Sequence, residues 1–289
     1  MNGRIIKGIG GLYFVDTEQG VYNCKPRGIF RKNKIVPTIG DYVTISIIPE
    51  SVNEGVIDHI HERKNELLRP KVSNIDQSIL VFSTVSPVIN IDLLDRLIIL
   101  SEEQNLSIVI CINKSDISDK AEYQNIKEDY EKIGYKVLFT STATGDGAKD
   151  LKELLENKVS VFSGPSGVGK SSLVNYLVPS SNMQTGDLSR KNNKGKHTTR
   201  HAELIKAYKN SYIVDSPGFT SLFFEHIKSE NLAALFKEFR PFMNNCKFND
   251  CKHINEPFCE VKRHVATNDI TKRRYDRYVH FFNELCTKP

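Results

Sequence analysis

Short strand-like runs alternate with turn signals over the first 65 residues, and then the pattern changes. The runs are residues 4–7, 12–15, 21–24, 42–48 and 56–60, punctuated by Gly10-Gly11, Gly20, Pro37 and Gly40. About five short strands in so few residues predict a small closed barrel, an OB-fold first and an SH3-like barrel as the alternative. Between the third and fourth runs, residues 25–34 mix cations with one aromatic, Phe30. That mixture reads as a loop that tracks an RNA backbone, or else as a merely solvated hairpin loop.

Residues 61–71 are polar and basic, and beyond them strands and amphipathic helices alternate. Strands are predicted at 78–83, 107–112, 136–140 and 159–162, with helices at 91–104, 120–133, 148–156 and 172–177. Such alternation builds a mostly parallel α/β sheet whose ligands sit at the carboxyl ends of its strands. Residues 182–200 interrupt it, being rich in Ser, Asn, Gly, Lys and Thr with almost no bulky apolar side chain. The expectation there is a segment that orders only with ligand. A strand pair at 202–208 and 212–214 follows, and from 229 the chain reads as helical, ending in a basic amphipathic helix around 269–285. The predicted division is a barrel at 1–65, an α/β domain at 66–222 and a helical domain at 223–289.

Composition narrows the class. Over 289 residues no apolar run approaches a membrane span, and the N-terminus has no long apolar leader, so a cytoplasmic protein without a membrane partner is expected. The net charge of +5 is unevenly placed: 9 basic against 7 acidic residues in 1–65, 19 against 19 in 66–219, and 12 against 9 in 220–289. An excess on both flanks suits a polyanionic partner or a solvated surface. Of six cysteines, Cys24, Cys111 and Cys286 stand apart, and three cluster near the C-terminus.

The chemistry centres on Gly164, Pro165, Ser166, Gly167, Val168, Gly169, Lys170 and Ser171, a glycine, four residues, then Gly-Lys-Ser. Between a strand and a helix, such a loop curls so that its N–H groups face phosphate oxygens. Lys170 then reaches the outer phosphates, Ser171 ligates Mg²⁺, and Ser172 continues into the helix. Asn113, Lys114, Ser115 and Asp116 follow a buried strand directly. A carboxylate there accepts from both the ring N–H and the exocyclic amine of guanine, an arrangement adenine does not offer. Ser141 and Thr142, after the next strand, are placed to touch the base edge through backbone N–H. Asp215 ends a strand, where it holds Mg²⁺ through water, and Gly218 follows with an N–H for the γ-phosphate. In the polar segment, Thr198 or Thr199 completes the Mg²⁺ shell when γ-phosphate is present.

Together these motifs resemble the signature of GTP-binding proteins in permuted order, the base-reading turn preceding the phosphate loop. Between a barrel and a Cys/His module, that order resembles the bacterial small ribosomal subunit biogenesis GTPase A family, circularly permuted GTPases of late 30S maturation. The resemblance covers essentially the whole chain. It implies GTP hydrolysis stimulated by the 30S subunit, with 16S rRNA as the main partner; a monomer is expected. Ras-like enzymes carry a water-orienting glutamine after Asp-x-x-Gly, where this chain has Phe219 and Thr220. The family's substitute is the histidine of Gly-x-His-Thr-Thr, which here is His197. Two departures stand out: Thr142 replaces a common alanine, and Lys196 replaces a common arginine, keeping charge but losing bidentate geometry.

Cys246, Cys251, His253 and Cys259 match a closed tetrahedral Zn²⁺ site, one structural ion with no open position. A disulfide is the alternative. Two other functions compete with a GTPase: a non-hydrolysing GTP-binding RNA-docking module, and an ATP-dependent enzyme reusing the phosphate loop.

Overall fold

The computed structural model describes residues 1–49, 51–68, 70–118, 120–179, 202–208, 210–215, 224 and 226–287. Of the expectations above, those for the polar segment 182–200 and for His197, Thr198, Thr199 and Gly218 lie outside the described residues.

Strands β1 (Asn2–Ile9), β2 (Leu12–Thr17), β3 (Gly20–Pro26), β4 (Tyr42–Ile47) and β5 (Glu54–Ile60) close a barrel in the order β1-β2-β3-β5-β4. β3 pairs with β5 in parallel and β4 closes antiparallel onto β1, so the barrel is the OB-fold. Alternate side chains, among them Ile5, Val15, Cys24, Val43, Ile45 and Ile57, fill it. The stretch expected as an RNA-tracking loop instead contains a helix, α1 (Gly28–Lys32), and Phe30 is only 8% exposed. Its ring completes the barrel core, so it is withheld from stacking on bases, while Arg31 and Lys32 face solvent.

A hairpin of β6 (Glu66–Leu68) and β7 (Lys71–Ser73) links the barrel to the α/β sheet. Asp41, fully buried, accepts from Thr38 N–H, from Ser73 Oγ at 2.6 Å and from Arg63 Nε at 2.7 Å. That charge is buried because it is paired and fully hydrogen-bonded.

The sheet contains β8 (Gln77–Ser83), β9 (Ser107–Asn113), β10 (Lys136–Phe139), β11 (Val159–Ser163), β12 (Glu203–Lys206) and β13 (Tyr212–Asp215) in the order β10-β9-β8-β11-β13-β12. Only β12 is antiparallel. Every residue of β8 is buried: Leu80 and Phe82 face one core, Ile79 and Val81 the other. The chain leaves β8 toward β9 and β10, then returns to β11 on the opposite side. Between β8 and β11 the connections therefore run apart at their carboxyl ends, where open α/β sheets bind ligands.

Helices α2 (Ile91–Glu103), capped by Asn90, and α3 (Lys120–Ile133) follow β8 and β9. Helices α4 (Ala148–Leu155) and α5 (Lys170–Leu177) flank β11 in sequence, and Leu151, Leu155, Leu173 and Leu177 bury on Ile79 and Val81. The C-terminal region consists of short helical turns, α6 (Leu232–Leu235) and α7 (Arg240–Met243), then α8 (Glu260–Ala266) and α9 (Lys272–Thr287). Its described residues form no separate core: Phe224, Phe236, Phe239, Tyr278 and Phe281 join Leu80, Phe82, Leu94 and Ile98 in one cluster.

The basic character of α9 has an internal use. Arg274, fully buried, donates to Asp95 of α2 at 2.5 Å and to Glu238 at 2.7 Å; Tyr130 of α3 donates to the same Asp95. Arg273 pairs with Asp129 and Arg277 with Asp92. Three cations of the basic amphipathic helix thus weld α9 to α2 and α3. Removing one partner from a buried pair strands the other charge, so Arg274→Ala is expected to destabilise the C-terminal region by about 3–5 kcal/mol, read by urea denaturation. A loss under 1 kcal/mol would mean that the pair is solvated.

Candidate nucleotide site

The loop from Gly164 to Gly169 connects β11 to α5, and two of its glycines are required by contact. A Cβ on Gly164, at φ 144°, would lie 2.0 Å from the Val81 carbonyl oxygen of β8; one on Gly169, at φ 93°, would lie 2.5 Å from Asn113 Nδ2. The backbone curls here only without side chains. Lys170 Nζ donates back to the carbonyls of Gly164 and Pro165 at 2.8 and 2.6 Å. Burial lowers its pKa from the ordinary lysine value, so this cation is partly stripped of water, and no carboxylate pairs with it among the described residues. A phosphate chain in the cradle would supply a counter-anion. Ser171 and Ser172 occupy the first turn of α5, and Asp215 closes β13, which pairs in parallel with β11. Ser171 and Asp215 thus belong to the same end of neighbouring strands.

Asn113 ends β9 and is 1% exposed. Its Nδ2 donates to the Val168 carbonyl of the phosphate loop at 2.9 Å, and its Oδ1 accepts from Thr140 Oγ1 at 3.1 Å. Both ends of the amide are used, so Asn113 serves the site by tying three loops together. Lys114, at φ 61°, extends Nζ to the Ser86 carbonyl at 2.7 Å, and Ser115 N–H donates to the Thr140 carbonyl at 3.1 Å.

Asp116 is exposed and held from one side. Ser141 Oγ donates to Asp116 Oδ1 at 2.6 Å while accepting from the N–H groups of Ala143 and Thr144 at 3.1 and 3.2 Å. The serine therefore links the two candidate base-reading turns, leaving Oδ2 without a partner among the described residues. Thr142 follows Ser141 in the second turn and is half-buried.

Sequence reasoning missed Thr140 and the loop at 84–87. Thr84 Oγ1 donates to the Lys114 carbonyl at 3.2 Å, and Pro87 Cδ lies 3.5 Å from where a Gly167 Cβ would sit. A buried threonine at a strand end was the available signal for Thr140; the 84–87 loop carries no motif.

A second cluster lies in the C-terminal region. The ligand-type atoms of Cys246, Cys251, His253 and Cys259 all lie within 4.8 Å of one another. Cys246 Sγ is 3.9 Å from Cys259 Sγ, and His253 Nδ1 is 3.5 and 3.4 Å from them. Tetrahedral ligands about 2.3 Å from a zinc ion are separated by about 3.8 Å, so the spacing fits. Burial raises the Cys251 thiol to about 12 and lowers the His253 imidazole, keeping it in the neutral form that binds metals. Crowded thiols resist ionising until a dication joins them. The four residues can hold a metal ion. Tyr275 and Tyr278 of α9 anchor this loop by donating to the carbonyls of His253 and Lys252.

Among the described residues no helix is long and apolar enough to cross a membrane. Comparison with known proteins agrees with the geometry over the whole chain. Residues 2–57 match the RsgA N-terminal domain and residues 60–225 the RsgA GTPase. The chain is 46% identical over 288 residues to the small ribosomal subunit biogenesis GTPase RsgA of Clostridium perfringens, covering 100% of this chain and 99% of that one. It is 45% identical over 283 residues to the Alkaliphilus metalliredigens protein of the same name, covering 98% and 97%. Two solved structures superpose over all of this chain: YloQ, a circularly permuted GTPase, with TM-score 0.86, 39% identity and 96% of that chain covered, and YjeQ from Thermotoga maritima, with 0.88, 35% and 99%. This chain belongs to the RsgA GTPase family.

Proposed function

We propose that this protein hydrolyses GTP to GDP and phosphate on the 30S ribosomal subunit, against 16S rRNA, during late maturation of that subunit. The observation that carries the reading is the Asn113–Val168 bond, which ties a base-reading turn to a phosphate cradle so that one nucleotide spans both. The relatives' name, small ribosomal subunit biogenesis GTPase, supports the partner. The protein works in the cytoplasm as a monomer, with residues 1–65 as the RNA-binding barrel, 66–222 as the GTPase domain and 223–289 as the zinc-binding part. Gly164 to Ser172 hold the phosphates, Gly218 contacts the γ-phosphate, and Lys114, Asp116, Ser141 and Thr142 surround the base, with Asn113 and Ser115 bracing the turn. Ser171, Asp215 and Thr198 or Thr199 would hold Mg²⁺, which would supply positive charge against that developing on the transferred phosphate.

Phe219 has no group that orients water, and His197 is our candidate for that duty. The test is GTP hydrolysis with isolated 30S, 50S and 70S particles, on wild type and His197→Ala. Stimulation is expected with 30S subunits, and the variant should bind GTP and subunit nearly normally while stimulated turnover falls about 10²-fold or more. Absence of hydrolysis under every condition would favour the non-hydrolysing docking module. A variant as fast as wild type would remove His197 from the chemistry.

A further inference from the structure

Two exposed aromatic rings flank the cysteine cluster, and one lysine reaches both. Phe258 directly precedes Cys259, and Lys247-Phe248 directly follows Cys246. With those two sulfurs 3.9 Å apart, the cluster brings the segments that carry these residues to one place although they are distant in sequence. Lys247 Nζ sits 4.8 Å from the Phe258 ring centroid and 5.9 Å from that of Phe248. No carboxylate pairs with Lys247 among the described residues.

Phe258 has no role in the core. It is 72% exposed, and its backbone lies at φ 58°, a conformation bulky non-glycine residues rarely adopt. The backbone turn belongs to the cysteine cluster, where His253 shares a φ of 58°, but a ring this exposed buries little apolar surface on folding. The arrangement has the marks of a binding surface. Its composition selects the ligand: flat rings stack on flat bases, and a lysine ammonium close to both rings meets a phosphate. Arg273, Arg274 and Arg277 are committed to carboxylates of α2 and α3, whereas Lys247 and Lys252 are exposed on the cysteine loop.

We infer that Phe248, Lys247 and Phe258 form a platform for unpaired RNA bases, built by the metal cluster. Duplexed bases have no free face to offer it. The platform deepens the RNA-docking part of the proposed function without requiring GTP hydrolysis.

Because the chain contains no tryptophan, Phe258→Trp places a single indole on the platform. Titrating the zinc-loaded full chain with a mixed-sequence single-stranded oligoribonucleotide should quench that indole, and the same strand annealed to its complement should not. Phe258→Ala and Phe248→Ala should each weaken the oligoribonucleotide about 10-fold, the scale of one lost stacking contact, with metal content unchanged as the folding control. Indole emission that stays constant while the oligoribonucleotide binds to saturation would overturn the platform. So would Phe258→Ala weakening 30S binding when no single strand quenches, since the rings then dock on protein. Quenching by free RNA without any 30S binding would leave the platform standing and sink the ribosomal reading instead.

Discussion

Asp116→Asn is expected to lower GTP affinity about 10³-fold while XTP becomes the better ligand. Guanine offers the Asp116 carboxylate two donors, the ring N–H and the exocyclic amine. Two charge-assisted bonds at about 1.5–3 kcal/mol each, lost together, correspond to roughly 10²–10⁴ in affinity. Xanthine presents a carbonyl in place of the amine, which an amide can meet. Which way the amide points is settled by Ser141. Its hydroxyl already accepts two backbone N–H groups, so its proton must go to residue 116. Only the asparagine oxygen can take that proton, which fixes the NH₂ group where Oδ2 now lies. Competition by GDP, XDP and ADP for a fluorescent nucleotide reads the change. Unchanged GTP affinity would take Asp116 out of base recognition, and competition by ADP in the wild type would revive the ATP-dependent alternative.

That orientation is invisible in the sequence, although both turns are visible. Asn113–Asp116 and Ser141–Thr142 can be read as candidates because each follows a buried apolar strand. The bond that joins Asn113 to the phosphate loop spans 55 residues and exists because β8 brings β9 and β11 to one sheet end. Local spacing nominates residues; topology decides which of them touch.

The same distinction explains the fold. β8 was legible because Ile79 to Phe82 form a continuous apolar run bounded by the small Ser78 and Ser83, whereas the burial of Gln77 depends on distant partners, the Leu154 carbonyl and Ser160. The α1 helix was not, since five residues are too short to show a helical period and Phe30 gave no sign of its burial. The basic amphipathic pattern of α9 does not show that its arginines are paired inward, because Arg274 and Asp95 are 179 residues apart. Charge counts locate an excess; they do not say which charges are already paired.

Removing the metal should disturb more than the C-terminal loop. We expect one Zn²⁺ per chain, held by Cys246, Cys251, His253 and Cys259, and structural zinc contributes an apparent 10–16 kcal/mol of binding energy at neutral pH. That energy supports a shared core. Cys259 and Val261 pack in the same cluster as Phe236, Phe239, Tyr278, Leu94 and Ile98, and Tyr275 and Tyr278 of α9 hold the carbonyls of His253 and Lys252. Chelation should therefore loosen α9 first and then α2, its partner through Asp95, while the barrel, whose core is separate, keeps its protection. Hydrogen exchange on the full chain, before and after chelation, tests the order. Protons compete for the thiols, so the metal should be lost more readily as pH falls. Metal analysis of reduced protein decides the ligand set: a stoichiometry near zero with two fewer free thiols would point to a disulfide, and α2 protection indifferent to chelation would show that the ion steadies only its own loop.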